Sequence, residues 1–98
     1  MNLAFERARV LVPPDVLVRE LDGESVILDL KTERYFGLDD VGTRMLTVLA
    51  ASESIQAGYE RLLEEYEVEP GPLRADITGL VDRLLEQGLV QVVEKQLE

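Results

Sequence analysis

Carboxylates are the main groups in this chain that could carry acid–base chemistry, because its 98 residues include no histidine and no cysteine. Those two types supply the usual general base at neutral pH, the usual thiolate nucleophile and the commonest zinc ligands. Adjacent carboxylates occur at Asp39-Asp40 and at Glu64-Glu65, and such pairs can transfer protons when a cleft drives their pKa values apart. The first pair stands at a predicted helix start and the second on the polar face of a predicted helix. We therefore interpret both pairs as structural.

The glycines and acids also lack the spacing of a cofactor or metal site. Gly37, Gly42 and Gly58 match neither of the glycine-rich motifs that hold phosphates, and no acidic run has the spacing of a calcium-binding loop. We predict a protein that is not an enzyme, with no catalytic residue, no metal and no cofactor.

Length and composition limit the class of protein and its partners. We predict one domain over residues 16–93, preceded by an arm over 1–15 and followed by a tail over 94–98. A net charge of −10 repels phosphate backbones, so nucleic acid is not an expected partner. The chain shows no run of about 18 apolar residues and no secretory signal, which predicts a cytoplasmic protein with no membrane segment.

The elements that would position a binding site begin with a hairpin. Two β-rich runs at residues 16–21 and 24–31 are separated by Asp22-Gly23, the strongest type of short hairpin signal. A second tight turn at Thr32-Glu33 leads to a short strand over 34–38, although positive φ at a glutamate costs about 1 kcal/mol relative to glycine. This pairing places Tyr35 on the face of Leu28 and Leu30, and Arg34 and Phe36 on the face of Asp29 and Lys31.

Two helices are predicted next. Asp39 is the expected N-cap of the first, which runs to about Ala51, and Ser54 is the expected N-cap of the second. Apolar residues at helical spacing form their core stripes: Val41, Met45, Val48 and Leu49 in the first, and Ile55, Tyr59, Leu62, Leu63 and Tyr66 in the second.

A third helix is predicted after a break over residues 68–72. It begins at Pro72 and ends at Gly88 in the left-handed conformation, and residues 89–93 form a short strand or an apolar tail. Its core stripe is Leu73, Ile77, Leu80 and Leu84. The order of elements predicts an α+β, winged-helix-like domain in which a three-stranded antiparallel sheet is followed by three helices.

Such a sheet leaves an unpaired edge on each outer strand, and natural domains either protect these edges or use them. Residues 34–36 offer main-chain donors and acceptors beside aromatic side chains, so an extended peptide could pair there. On the third helix, the core stripe is widened by Val81 and Leu85, with Arg74 and Thr78 beside them. This wider surface is compatible with a peptide groove and equally with ordinary packing.

Three sequence runs carry a resemblance to a known family. LDGESVILDLKTERYFGLDDVGTRML, LLEEYEV and LRADITGLVDRLLEQGLV occur in this order within residues 13–92 and resemble the PqqD-like peptide-recognition elements. The most specific part is RYFGL at 34–38 followed by Val41-Gly42, and Asp76 and Gly88-Leu89 agree as well. The resemblance implies a protein that binds the leader peptide of a ribosomally made precursor. The leader adds as a strand to the third strand, in the cleft with the third helix.

The same resemblance implies which residues form the site. Those on the strand side are Lys31, Arg34, Tyr35 and Phe36, and those on the helix are Arg74, Ile77, Thr78 and Val81, with Leu84 or Leu85 at the floor of a pocket. Asp76 either holds a polar side chain of the leader or favours the helix dipole. Glu33 departs from the family, which often has glycine there.

Family members have no activity of their own and present the precursor to partner enzymes. A free-standing chain of this length resembles the discrete recognition proteins of lasso-peptide clusters, whose partners are a leader peptidase and a macrocyclase. The alternative is the pyrroloquinoline quinone pathway, with a radical enzyme as the partner. Two further hypotheses are a winged-helix regulatory or nucleic-acid-binding protein, and a domain that dimerises through its own free edge.

Overall fold

The computed structural model describes residues 4–94, which form a three-stranded sheet, a two-stranded sheet and three helices. The strands are β1 (Ala8–Leu11), β2 (Val16–Leu21), β3 (Glu24–Asp29), β4 (Tyr35–Leu38) and β5 (Gln91–Glu94), and the helices are α1 (Asp40–Ala51), α2 (Ile55–Tyr66) and α3 (Pro70–Glu86). The predicted fold class is confirmed, since β2, β3 and β4 make the antiparallel sheet and the three helices follow it.

The β2–β3 hairpin forms where the sequence predicts it. Asp22 and Gly23 have φ values of 55° and 85°, the left-handed conformation that a tight two-residue turn requires at both central positions. β3 is the central strand, so Leu17, Leu28 and Tyr35 lie side by side across the sheet. One edge of β2 and one edge of β4 are therefore the outer edges of this sheet.

The β3–β4 connection is longer than the predicted two-residue turn at Thr32-Glu33. The N–H of Asp29 donates to the carbonyl of Arg34 at 2.8 Å, so residues 30–33 form the connection. The side chain of Asp29 closes this loop by accepting hydrogen bonds from the amides of Lys31 and Thr32, at 2.9 and 3.4 Å. Glu33 does adopt positive φ, at 62°. The register moves by two residues, which leaves every side chain of β4 on its predicted face.

We expect the carboxyl of Asp29 to make this loop sensitive to pH. The hydrogen bond from the Lys31 amide holds the pKa of Asp29 below its usual value of 3.8. A carboxyl whose pKa is lower in the folded state stabilises the fold above its unfolded pKa, and this contribution is lost as pH falls through the lowered pKa. Asparagine keeps an acceptor but does not titrate. Between about pH 6 and about pH 2, we therefore expect the wild type to lose more unfolding free energy than Asp29→Asn. Denaturant titrations at both pH values would measure this, and equal losses would refute it.

β1 and β5 pair with each other in a sheet separate from the three-stranded one. β1 lies within the segment predicted as an arm, and it pairs antiparallel with β5, which resolves the open alternative for residues 89–93 in favour of a strand. Phe5 and Val10 are buried in the core. Of the predicted tail over 94–98, only Glu94 belongs to the described residues.

The helix caps follow the sequence with one difference. Asp39 accepts a hydrogen bond from the Gly42 amide at 2.8 Å and Ser54 accepts one from the Ala57 amide at 3.0 Å, as expected of N-caps. Gly88 ends α3 with a φ of 70°, as predicted. However, α3 begins at Pro70 and not at Pro72. Proline is tolerated in the first turn because an N–H there has no intrahelical acceptor.

The core lies between the sheet and the helices. All four predicted stripe residues of α3 are buried, as are Met45, Val48 and Leu49 of α1 and Ile55, Tyr59 and Leu62 of α2. Val41 and Tyr66 were predicted in these stripes but are exposed, because each lies at an end of its helix beyond the packed layer. Among the described residues, no helix has the length and apolar character needed to cross a membrane.

Candidate peptide-binding site

The outer edge of β4 presents unpaired main-chain groups. In an antiparallel pair, residues alternate between those bonded to the partner strand and those that point away from it. The bond between Asp29 and Arg34 fixes this alternation, so Phe36 and Leu38 face β3. The N–H and C=O groups of Tyr35 and Gly37 must therefore point outward. Within residues 4–94 no strand pairs with this edge, since β1 and β5 pair with each other.

An open groove separates β4 from α3 on the inner face of the sheet. Its volume is about 340 Å³, and half-buried Phe36 contributes from the strand while Leu80 and Arg83 contribute from the helix. The complete lining is Phe36, Gly37, Leu38, Asp39, Gly42, Leu80 and Arg83. The lining thus combines apolar and charged side chains, and it lies beside a free strand edge at which a sheet can accept an extended peptide.

A second cavity continues this groove towards the start of α3. It has a volume of about 170 Å³, shares Asp39, Gly42, Leu80 and Arg83 with the first, and adds Val41, Met45 and Asp76. The exposed side chain of Val41 therefore lies at the rim of the groove.

Asp76 contributes a carboxylate to this groove and Arg83 a guanidinium. The salt bridges among the described residues are Lys31–Asp15 and Arg44–Glu65, so neither of these two groups has an ionic partner there. The helix dipole acts most strongly on charges in the first turn of a helix. Because α3 begins at Pro70, Asp76 lies beyond that turn. The position of Asp76 therefore gives little support to the helix-dipole interpretation.

Comparison with known proteins identifies the family of this chain. The model of the family described as coenzyme PQQ synthesis protein D (PqqD) matches residues 24–90, which include β3, β4 and all three helices. The chain belongs to the PqqD family. No curated protein sequence matches it.

Two solved structures resemble this PqqD-family chain over most of its length. One is described as TbiB1 in complex with the TbiA(beta) leader peptide, with a TM-score of 0.76, 27% identity, and coverage of 83% of this chain and 94% of that one. The other is described as lasso peptide synthetase B1 complexed with the leader peptide, with a TM-score of 0.75, 29% identity, and coverage of 85% and 98%.

The predicted strand residues divide between two places. Tyr35 and Phe36 lie on β4, with Tyr35 exposed on the outer face of the sheet and Phe36 at the groove, and exposed Arg34 directly precedes them. Lys31 lies away from β4. Its ammonium contacts the carboxylate of Asp15 at 3.3 Å, and Asp15 directly precedes β2, the strand at the other edge of the sheet.

Most of the predicted helix residues do not line the groove of this PqqD-family chain. Ile77, Val81 and Leu84 are buried in the core, and unlike Leu80 they do not line either cavity. Leu85 is half-buried and packs against that core. At about 100° per residue, a helix that buries these positions turns Asp76, Leu80 and Arg83 to one flank and Arg74, Thr78 and Leu85 to the other. The groove is on the first flank.

Arg74 has a structural contact on the flank away from the groove. Its guanidinium carbon lies 3.9 Å from the centre of the Phe5 ring and 5.8 Å from that of Tyr59, within the range of a cation–π interaction. The Thr78 hydroxyl donates to the Arg74 carbonyl at 2.9 Å. Among the helix residues predicted for the site, Asp76 lines the groove and the others do not. Leu80 and Arg83 line the groove but were not predicted to do so, although with Asp76 they share i, i+4, i+7 spacing.

The carboxylate pairs have structural partners. Asp39 caps α1, and Glu65 accepts hydrogen bonds from the guanidinium of Arg44, one of them at 2.9 Å. That guanidinium lowers the pKa of Glu65 below its usual value. No cluster of three or more potential metal ligands occurs within residues 4–94. The site therefore offers main-chain hydrogen bonds, a groove of mixed apolar and polar lining, and isolated charges, which suit binding.

Proposed function

We propose that this chain binds the leader peptide of a ribosomally synthesised precursor as an extra strand on β4, in the groove between β4 and α3. The free edge of β4 beside that groove is the observation that carries the proposal. Both solved structures that resemble the chain are described as complexes with a leader peptide, which supports it.

The edge sets the geometry of the bound leader. A guest strand exchanges hydrogen bonds with Tyr35 and Gly37, and main-chain bonds of this kind supply affinity with little dependence on sequence. The guest residue between those two positions points to the inner face, into the groove at Phe36, Leu80 and Arg83. Its neighbours point to the outer face. Specificity then comes from the side-chain sites on the two faces.

The chain contributes binding and orientation, and its partners carry out the chemistry. We propose that the bound leader is presented to a leader peptidase and a macrocyclase of lasso-peptide biosynthesis, because one of the two similar structures is described as lasso peptide synthetase B1. The second candidate is a peptide chaperone of pyrroloquinoline quinone biosynthesis, which the description of the family favours. Neighbouring genes for a protease-like and a synthetase-like protein would select the first, and a gene for a radical enzyme would select the second.

Main-chain methylation of a bound peptide tests strand addition directly. The probe is a peptide selected on the wild-type protein from a random display library, in which each amide is methylated in turn. Because only alternate residues of an added strand bond to the edge, methylation should weaken binding at every second position, by about tenfold for a lost hydrogen bond.

Fluorescence anisotropy with the labelled peptide gives the dissociation constants. Methylation at the intervening positions serves as the matched control, since their amides face solvent. A library that yields no binding peptide, or a sensitivity that repeats every three to four residues as in a helix, would contradict the proposal.

A further inference from the structure

The outer edge of β2 is the second free strand edge of the three-stranded sheet. The Leu30 amide donates to the Asp15 carbonyl at 2.9 Å, which fixes the alternation of β2. The N–H and C=O groups of Val18 and Glu20 therefore point away from β3. Among residues 4–94, no strand pairs with this edge. An extended segment can therefore add to β2 by the same type of main-chain pairing as at β4.

An apolar groove lies between this edge and α1. Its volume is about 370 Å³, and five of its six lining residues are apolar: Val12, Val18, Leu46, Thr47, Ala50 and Ala51. Val18 is 38% exposed, so α1 covers its side chain only in part. A guest residue paired with Val18 would have its side chain on the same face of the sheet, over this groove.

Two charged side chains on β2 select among extended segments. Glu20 pairs with buried Ser25 and so points to the inner face, whereas Arg19 pairs with exposed Val26 on the outer face. The salt bridges found within the described part of the chain involve neither charge. Charges on an edge strand disfavour a guest with like charges opposite them and favour one with opposite charges. An antiparallel guest therefore fits with a basic, an acidic and an apolar residue, in that order, opposite Glu20, Arg19 and Val18.

A second copy of this chain is a poor guest for the β2 edge. Antiparallel pairing of Val18 with Glu20 of the second copy puts the two copies of Arg19 opposite each other, where like charges repel. Pairing centred on Val18 needs the N–H of Val16, which already donates to the Pro13 carbonyl at 3.0 Å. The net charge of −10 also opposes self-association. The guest that fits is therefore a segment of another protein.

We propose that the β2 edge and the groove beside α1 form a second strand-addition site, which binds an extended segment of a partner protein with residues in the order basic, acidic and β-branched apolar. This site goes beyond the proposed function, which uses β4. Because β3 separates the two edges, both can be occupied at once, with the two guest strands about 19 Å apart across the sheet. A partner enzyme with such a segment would then be held on the same sheet as the leader.

Charge reversal in matched peptides tests this site. The probes are two cyclic β-hairpin peptides whose outer strand carries lysine, glutamate and valine in that order, or glutamate, lysine and valine, flanked by leucines. Wild type should bind the first about fivefold more tightly, because two cross-strand charge pairs are attractive in the first and repulsive in the second. Arg19→Glu combined with Glu20→Arg should reverse the preference. Fluorescence anisotropy at low ionic strength gives the dissociation constants.

Proline substitutions locate the bound hairpin. Val18→Pro deletes an outward amide of β2 and should weaken binding of the first hairpin at least about tenfold. Tyr35→Pro makes the same change on β4 and is the matched control, with unchanged binding of this hairpin. Circular dichroism checks folding, and the charge reversal tests the site even if Val18→Pro unfolds.

Three results would overturn the second site. These are the absence of binding by both hairpins, equal affinity of wild type for the two, and a larger loss with Tyr35→Pro than with Val18→Pro. None of them alters the methylation test of strand addition at β4, so the two proposals fail separately.

Discussion

Tyr35→Pro is expected to remove most peptide binding and to leave the domain folded. The N–H of Tyr35 points to the free edge of β4, so proline deletes a hydrogen-bond donor that the folded chain does not use. Tyr35 is also the first residue of its strand and is 78% exposed. Its loss removes one bond to the guest, and the proline ring obstructs the approach of the guest strand. We expect the affinity to fall at least about tenfold.

Two control variants separate the main-chain effect from other causes. Tyr35→Ala removes the same side chain but keeps the amide, so it should bind more tightly than Tyr35→Pro. Val18→Pro makes the same change on the other outer edge, because the bond from the Leu30 amide to the Asp15 carbonyl fixes the alternation of β2 and turns Val18 outward. It should bind like wild type. Titration of a selected peptide by calorimetry, with circular dichroism for folding, measures all three. If Tyr35→Pro and Val18→Pro bind equally well, the guest does not use β4.

The strand side of the site could be predicted from the sequence because short-range signals define it. Asp22-Gly23 fixes the first hairpin, and the alternation of side chains along a strand fixes the faces of Tyr35 and Phe36 even when the turn is misplaced by two residues. The Asp39 cap then fixes where α1 begins. What local signals did not show is that the carboxylate of Asp29 would close a longer loop.

The helix side could not be predicted in the same way. Periodicity identifies the buried stripe of α3, but the two flanks of that stripe have similar composition, and only the packed position of the sheet decides which flank borders β4. One flank carries the polar residues Asp76 and Arg83, and the other carries Arg74 and Thr78, so either pair could have been predicted to border β4. The aromatic contact of Arg74 depends on Phe5, which lies 69 residues earlier (74 minus 5) in the segment predicted as an arm.

Because Ile77 lies in the core and does not line the groove, a charge at position 77 should reduce the stability of the fold. The family resemblance implies that Ile77 contacts the peptide, whereas helical periodicity places it in the core stripe, and the structure shows it 0% exposed within the core. An aspartate there loses the apolar contacts of isoleucine and places an unpaired carboxylate away from water, at a cost of about 4 kcal/mol or more. Single domains are stabilised by about 5–15 kcal/mol, so we expect the variant to be largely unfolded at neutral pH.

Gly79→Asp is the matched control, since it introduces the same charge two residues along α3. Gly79 is exposed, and a Cβ atom added to it would meet nothing within 4 Å. Aspartate also has a higher helix propensity than glycine, so this variant should be at least as stable as wild type. Thermal and denaturant unfolding followed by circular dichroism compare the two.

Lower pH should restore part of the stability that Ile77→Asp loses, down to the pH at which the fold itself fails. Burial raises the pKa of a carboxyl at position 77, so protonation removes the cost of the buried charge before it affects the exposed carboxylates. Gly79→Asp, whose carboxylate faces water, should show no such recovery. If Ile77→Asp is instead folded at neutral pH and defective only in binding, then position 77 faces the peptide and α3 is rotated relative to the packing described for it.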